Sequence, residues 1–181
     1  MKKVLIILAL LLSVNAISAQ KINWVSLEEA VELQKTSPKK ILIDMYTNWC
    51  GPCKLLDKRT FQNADVANYV NKNYYAVKFN AEGNDKVMFR GREFSNPGYD
   101  PAREFKRNSA HELSRYFRIQ AFPTMVFLDE NLDVLVPLRG FKTPQELELY
   151  LKMFNKDEHK DIKSQEQFNA YYKAFKAEFQ G

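Results

Sequence analysis

The chain has 181 residues, enough for one domain with a sizeable core. Hydrophobic residues make up 45% and charged residues 27%, a globular balance that excludes disorder and a multi-span membrane protein. The formal charge is +5, but without Lys2 and Lys3, which lie in a leader-like start, 25 basic residues face 22 acidic ones. A balance of +3 with no basic run argues against a nucleic-acid partner.

Residues 1–19 begin with that positive pair, continue as an unbroken apolar run over 4–12, and end in a small, polar stretch over 13–19. The run is far short of the ~20 residues that span a bilayer. The pattern is that of a secretory signal peptide, cut after Ala19 or Ala16, with an uncleaved anchor as the alternative. No cysteine follows the run, which argues against a lipid anchor. The expected mature protein is exported, to the periplasm or the extracellular space, and is not stably inserted in a membrane.

Along the rest of the chain, Ser26 with Glu29 has capping-box spacing and predicts a helix over 27–36. A strand follows over 40–47 and another over 74–80, both apolar enough to be buried on two faces. Residues 84–108 break the alternation: Gly91, Pro97, Gly98 and Pro101 interrupt a mixture of charges and aromatics without a period. At roughly 25 residues this exceeds the usual ~12–15 of a structureless loop, so it reads as an insertion near the site. Ser109 with Glu112 predicts a helix over 110–118. Strands over 124–128 and 134–138 are joined by the turn Asp129-Glu130-Asn131. Thr143 with Glu146, and Pro144 at the first helical position, open a helix over 144–155. Ser164 with Gln167 opens another over 165–179. The order predicts a mixed α/β sheet covered by helices.

The two cysteines of the chain are three positions apart in Trp49-Cys50-Gly51-Pro52-Cys53, after a buried-type strand and before an expected helix. In that context a C-x-x-C pair is redox-active. Unpaired N–H groups at a helix start stabilise an anion and lower the pKa of the first thiol. Cys50, on the exposed side of the turn, is therefore the expected attacker of a substrate disulfide. Cys53, one turn into the helix, is the expected resolver. Pro52 falls in the first turn, where proline is tolerated. A zinc half-site would need two more ligands, and His111 and His159 are the only histidines. Both histidines sit among charged residues and read as solvated surface.

The segment Trp49-Cys50-Gly51-Pro52-Cys53-Lys54 resembles the active-site motif of the thioredoxin superfamily, and the resemblance runs over about 40–154. The branch it is most similar to holds secreted thioredoxin-related proteins and the C-terminal domains of thiol:disulfide interchange proteins. The resemblance implies a thioredoxin fold with a mixed central sheet flanked by helices. It divides the chain into a domain over 20–156, with the 84–108 insertion before a cis-proline loop, and an extra helical extension over 157–181. Asp44 matches the family's buried aspartate, which relays the proton of Cys53, and Lys78 matches a lysine that tunes it. Ala121-Phe122-Pro123-Thr124 matches the cis-proline loop. There Pro123 packs on the disulfide and Phe122 offers its backbone to an extended substrate. Phe122 departs from the branched aliphatic residue usual there. Gly140 matches a glycine beside the substrate groove, which Trp49, Gly51 and Pro52 complete.

The resulting expectation is an exported thiol:disulfide oxidoreductase working through Cys50 and Cys53, with no bound cofactor or metal. Its partners would be disulfide-containing proteins and a membrane-bound electron donor. Reduction or isomerisation is the favoured direction. A disulfide-introducing oxidase and a thioredoxin-fold chaperone or binding module are the alternatives. The aromatic stripe Phe168, Tyr171, Tyr172, Phe175 and Phe179 is expected to pack on the parent domain.

Overall fold

A computed structural model describes residues 21–181, so the leader expected over 1–19 lies outside the described residues. The centre is strand β2 (Lys40–Tyr46), whose run Lys-Ile-Leu-Ile-Asp-Met-Tyr is buried along nearly its whole length. It pairs in parallel with β3 (Tyr74–Asn80), which pairs in parallel with the two-residue edge strand β1 (Trp24–Val25). On its other side lies β6 (Thr124–Leu128), antiparallel, followed by β7 (Val134–Arg139), also antiparallel. The sheet order is β1-β3-β2-β6-β7, the mixed sheet that the sequence predicts. Pro137 is tolerated in β7 because an edge strand can spare an N–H.

Strand alternation divides the core in two. Ile41, Ile43 and Met45 of β2 face α1 (Leu27–Thr36), while Leu42 faces α3 (Ala64–Asn73) and α5 (Pro144–Asn155) across the sheet. Asp44 takes its direction from Leu42 and replaces an apolar side chain on that second face.

The caps explain most helix starts. Ser26 and Ser164 accept the N–H of Glu29 and Gln167, and Thr143 with Glu146 forms the complete reciprocal box. The helix over 110–118 is shorter than expected. It is α4 (Glu112–Tyr116), and its cap is His111 rather than Ser109. Glu112 is diverted: its carboxylate accepts from the N–H and hydroxyl of Ser95 and ties down the insertion. His111 is fully buried, which corrects its reading as solvated surface. Its Nδ1 accepts from Leu113 N–H, and its Nε2 donates to the Asp85 carbonyl at 2.7 Å. His159 is half-buried with its edge against Phe154, and desolvation lowers its pKa.

The insertion is two different things. Its first part forms the hairpin of β4 (Val87–Phe89) and β5 (Arg92–Phe94), and Phe89 and Phe94 complete the core beneath α1. Its second part, 97–107, is an exposed strap apart from half-buried Tyr99. The last helix, α6 (Gln165–Ala174), stops short of 179 and buries none of its residues fully. The chain then folds back so that Phe179 packs against Tyr69 of α3.

Candidate active site

Helix α2 (Gly51–Leu56) starts directly after β2, with Cys50 as its cap. Cys53 N–H donates to Cys50 Sγ at 3.1 Å, and the two sulfurs are joined in a disulfide. The cap turns the Cys50 sulfur inward to the helix start. Cys50 is therefore only 2% exposed and Cys53 5%, so the expectation that Cys50 stands on an exposed side is corrected for the disulfide form. Gly51 and Pro52 are exposed, and a Cβ on Gly51 would meet nothing within 4 Å. The floor beside the disulfide is thus open to an approaching chain.

Two depressions flank the pair. The first, about 360 Å³, is lined by Asp44, Cys53, Lys54, Asp57, Lys78 and Phe105 among others. Asp44 is 1% exposed and its Oδ1 has no hydrogen-bond partner among the described residues. Desolvation raises its pKa to about 7, against the attraction of Lys78, its register partner on β3. Lys78 pairs with Asp57, the first residue of a π-helical turn (Asp57–Phe61) that continues α2. Such widened turns recur at functional sites. Phe105, from the strap, is 72% exposed at the rim.

The second depression, about 570 Å³, holds Trp49, Cys50, Pro52, Glu82, Arg107 and Phe122 in its wall. Trp49 meets the Phe122 ring edge-on at 6.0 Å. The Phe122–Pro123 peptide is cis, and Pro123 is buried. The Pro123 carbonyl accepts the N–H of Gly140 at 2.8 Å, and Gly140 has φ +81°, where a side chain would be strained. Gly140 is thereby placed against the cis-proline loop.

The residues that the resemblance assigns to the site thus gather around the cysteine pair, directly or, for Gly140, through the cis-proline loop. Glu82, Asp57 and Phe105 join them without having been singled out, and Arg107 comes from the insertion whose excess of cations reads as a solvated loop or a rim of the site. Glu82 carries the one legible hint, an acid just past the end of β3, but no motif spacing marks it.

The family model for the thioredoxin-like domain matches residues 27–155. The chain belongs to the thioredoxin-like family. Among curated proteins it is similar to the thioredoxin of Mycoplasmoides gallisepticum, with 43% identity over 49 residues, 20% of this chain and 49% of the relative. The chain thus spans about half the length of that curated relative. Among solved structures it is similar to a thioredoxin-fold protein from Helicobacter pylori, with TM-score 0.56 and 19% identity, over 75% of this chain and 81% of the other. A candidate disulphide-isomerase from Bacteroides thetaiotaomicron superposes with TM-score 0.52 and 25% identity, over 77% of this chain and 96% of the other. The fold is the thioredoxin fold.

Proposed function

We propose that this thioredoxin-like protein is an exported thiol:disulfide oxidoreductase that reduces or isomerises protein disulfides. The observation that carries the reading is the Cys50–Cys53 disulfide at a helix start, sharing a cavity with the unpartnered carboxyl of Asp44. In the reduced protein the Cys50 thiolate attacks one sulfur of a substrate disulfide, and the other substrate sulfur leaves as a thiolate and takes up a proton. Cys53 then gives its proton toward Asp44 and attacks Cys50 Sγ, releasing the second substrate thiol. Two electrons pass from the dithiol to the substrate, and the protein is left with its disulfide. Trp49, Gly51, Pro52, Phe122, Pro123 and Gly140 form the groove in which an extended chain lies.

Export rests on the leader-like composition of residues 1–19, and the direction on the Gly-Pro pair between the cysteines. An exported reductase needs electrons from a membrane-bound donor. The test combines trapping with a redox titration. With a disulfide-bonded protein substrate, Cys50→Ser should abolish reduction and Cys53→Ser should accumulate a mixed disulfide. The Cys50–Cys53 potential should fall near about −270 mV, and one near about −120 mV would assign the oxidase direction instead. Adducts formed by Cys50→Ser but not by Cys53→Ser would reverse attacker and resolver.

A further inference from the structure

The strap that closes the insertion delivers one cation to the groove beside Cys50. Arg107 is exposed, its guanidinium lies over the Trp49 ring at 5.2 Å, and it lines the same depression as Cys50 and Phe122. Its position is fixed from both sides. The next residue, Asn108, donates its N–H to Glu82 Oε2 at 2.8 Å, and the same oxygen accepts Trp49 Nε1–H at 2.7 Å. Glu82 is thus a buried clasp between the strap and the tryptophan next to the attacking cysteine. Both donors take up the same carboxylate oxygen of Glu82, which is 8% exposed, whereas Arg107 is exposed and carries the more solvent-facing charge of the groove wall.

Stacking occupies the face of a guanidinium and leaves its N–H edge able to donate. Two other cations of the insertion are paired, Lys86 with Glu93 and Arg90 with Asp133, and the remaining ones, Arg92, Arg103 and Lys106, do not line the depression beside Cys50. Among the described residues no carboxylate pairs with Arg107. A preorganised cation with an open donor edge costs little ordering when an anion arrives.

We propose that Arg107 is a specificity-determining residue that selects disulfide substrates carrying a carboxylate beside the target cysteine. The inference rests on the oxidoreductase reading and deepens it: the substrate is an acidic, extended segment with its cysteine over Cys50 and its carboxylate on the guanidinium edge.

The test uses three synthetic peptide disulfides, identical except for Glu, Gln or Lys on either side of each cysteine. The reduced full protein is assayed for kcat/KM with each, at low and high salt. Wild type should prefer the Glu peptide over the Gln peptide by about two- to five-fold at low salt, the range of a partly exposed ion pair. Added salt should shrink that ratio. Arg107→Gln should bring it to one, Arg107→Glu should invert it, and Arg107→Lys should keep its direction. Equal rates with all three peptides in wild type, or a Glu preference surviving in Arg107→Gln, would overturn the assignment while leaving the oxidoreductase reading intact. Failure to reduce even the Gln peptide would overturn both.

Discussion

At the scale of single residues, Asp44 is the carboxyl of the site whose chemistry the surroundings alter strongly. A carboxyl in the place of an apolar residue, with Lys78 as its nearest compensation, is held near neutrality at a pKa of about 7. That is the range in which a base takes up and returns a proton within one catalytic cycle. Asp44→Asn should therefore slow resolution of the mixed disulfide by about 10-fold or more. It should also remove an inflection near pH 7 from the rate of that step, followed by stopped flow. Lys78→Met should move the inflection upward, because the attraction of Lys78 opposes the desolvation. A wild-type pH profile retained in Asp44→Asn would refute the proton-relay role. Asp44 was legible because the motif sits directly after its strand. Glu82 was not, and Arg107 was legible only as one of several cations of the insertion, because their meaning depends on Trp49 turning to meet a strap nearly sixty residues further on. His111 misled for a related reason: its charged sequence neighbours point away, while the ring itself is enclosed by Asp85, Leu113 and Phe79.

At the scale of elements, local signals succeeded where a cap and an apolar period agreed, as in α1 and α5. They failed where tertiary partners take over. Helix α3 escaped notice because its cap, Asn63, follows closely on the π-helical continuation of the motif helix and has Val66 rather than Glu or Gln at the capping-box position. The hairpin β4–β5 escaped because three-residue strands with Gly91 between them carry almost no period. The C-terminal stripe was visible, but the turn-back after Ala174 was not. That turn serves Glu148, a fully buried carboxylate of α5. Its Oε2 accepts from the N–H groups of Glu178 and Phe179, both at 2.8 Å, and its Oε1 lies 2.6 Å from Lys152. Removing residues 177–181 should strip both N–H donors and uncover Tyr69. The expected cost is about 1–3 kcal/mol, read as a fall in Tm of several degrees. Disulfide exchange should continue at the wild-type rate, because the tail packs on α3 and α5 rather than on the groove. An unchanged Tm would show that Glu148 is satisfied without the tail.

At the scale of the whole molecule, charges are placed at two kinds of position with opposite effects on stability. At the end of the sheet away from the cysteines, buried Lys40 pairs with Glu130 at 2.8 Å and Asp157 at 2.9 Å. It thereby joins β2, the β6–β7 turn and the end of α5. Hydrogen bonding to Lys40 lowers the Asp157 pKa; for Glu130 desolvation is the largest single effect, but hydrogen bonding and the charge of Lys40 together outweigh it and lower the pKa. Such carboxylates stabilise the fold above their unfolded pKa, and that contribution is lost as pH falls through the lower folded values. Asp44 works in the other sense. Its folded pKa is raised from 3.8 to about 7, so its contribution is present below 3.8 and lost as pH rises through about 7. His159, with a lowered pKa, favours the fold above its unfolded value of 6.5 and runs counter to Asp44 in part of that window. The difference between wild type and Asp44→Asn isolates the aspartate, because the other groups and any fixed packing cost of the amide cancel in its pH dependence. Relative to wild type, the variant should gain stability steadily between pH 4 and 7, up to a ceiling of about 4 kcal/mol. Above pH 8 the gain should level off. Denaturant unfolding of the disulfide form at pH 4.5, 6, 7.5 and 8.5 measures it. A difference that stays constant across those four values would mean that Asp44 is ionised as readily in the folded protein as in the unfolded chain, and the buried-carboxyl account of the site would fail with it.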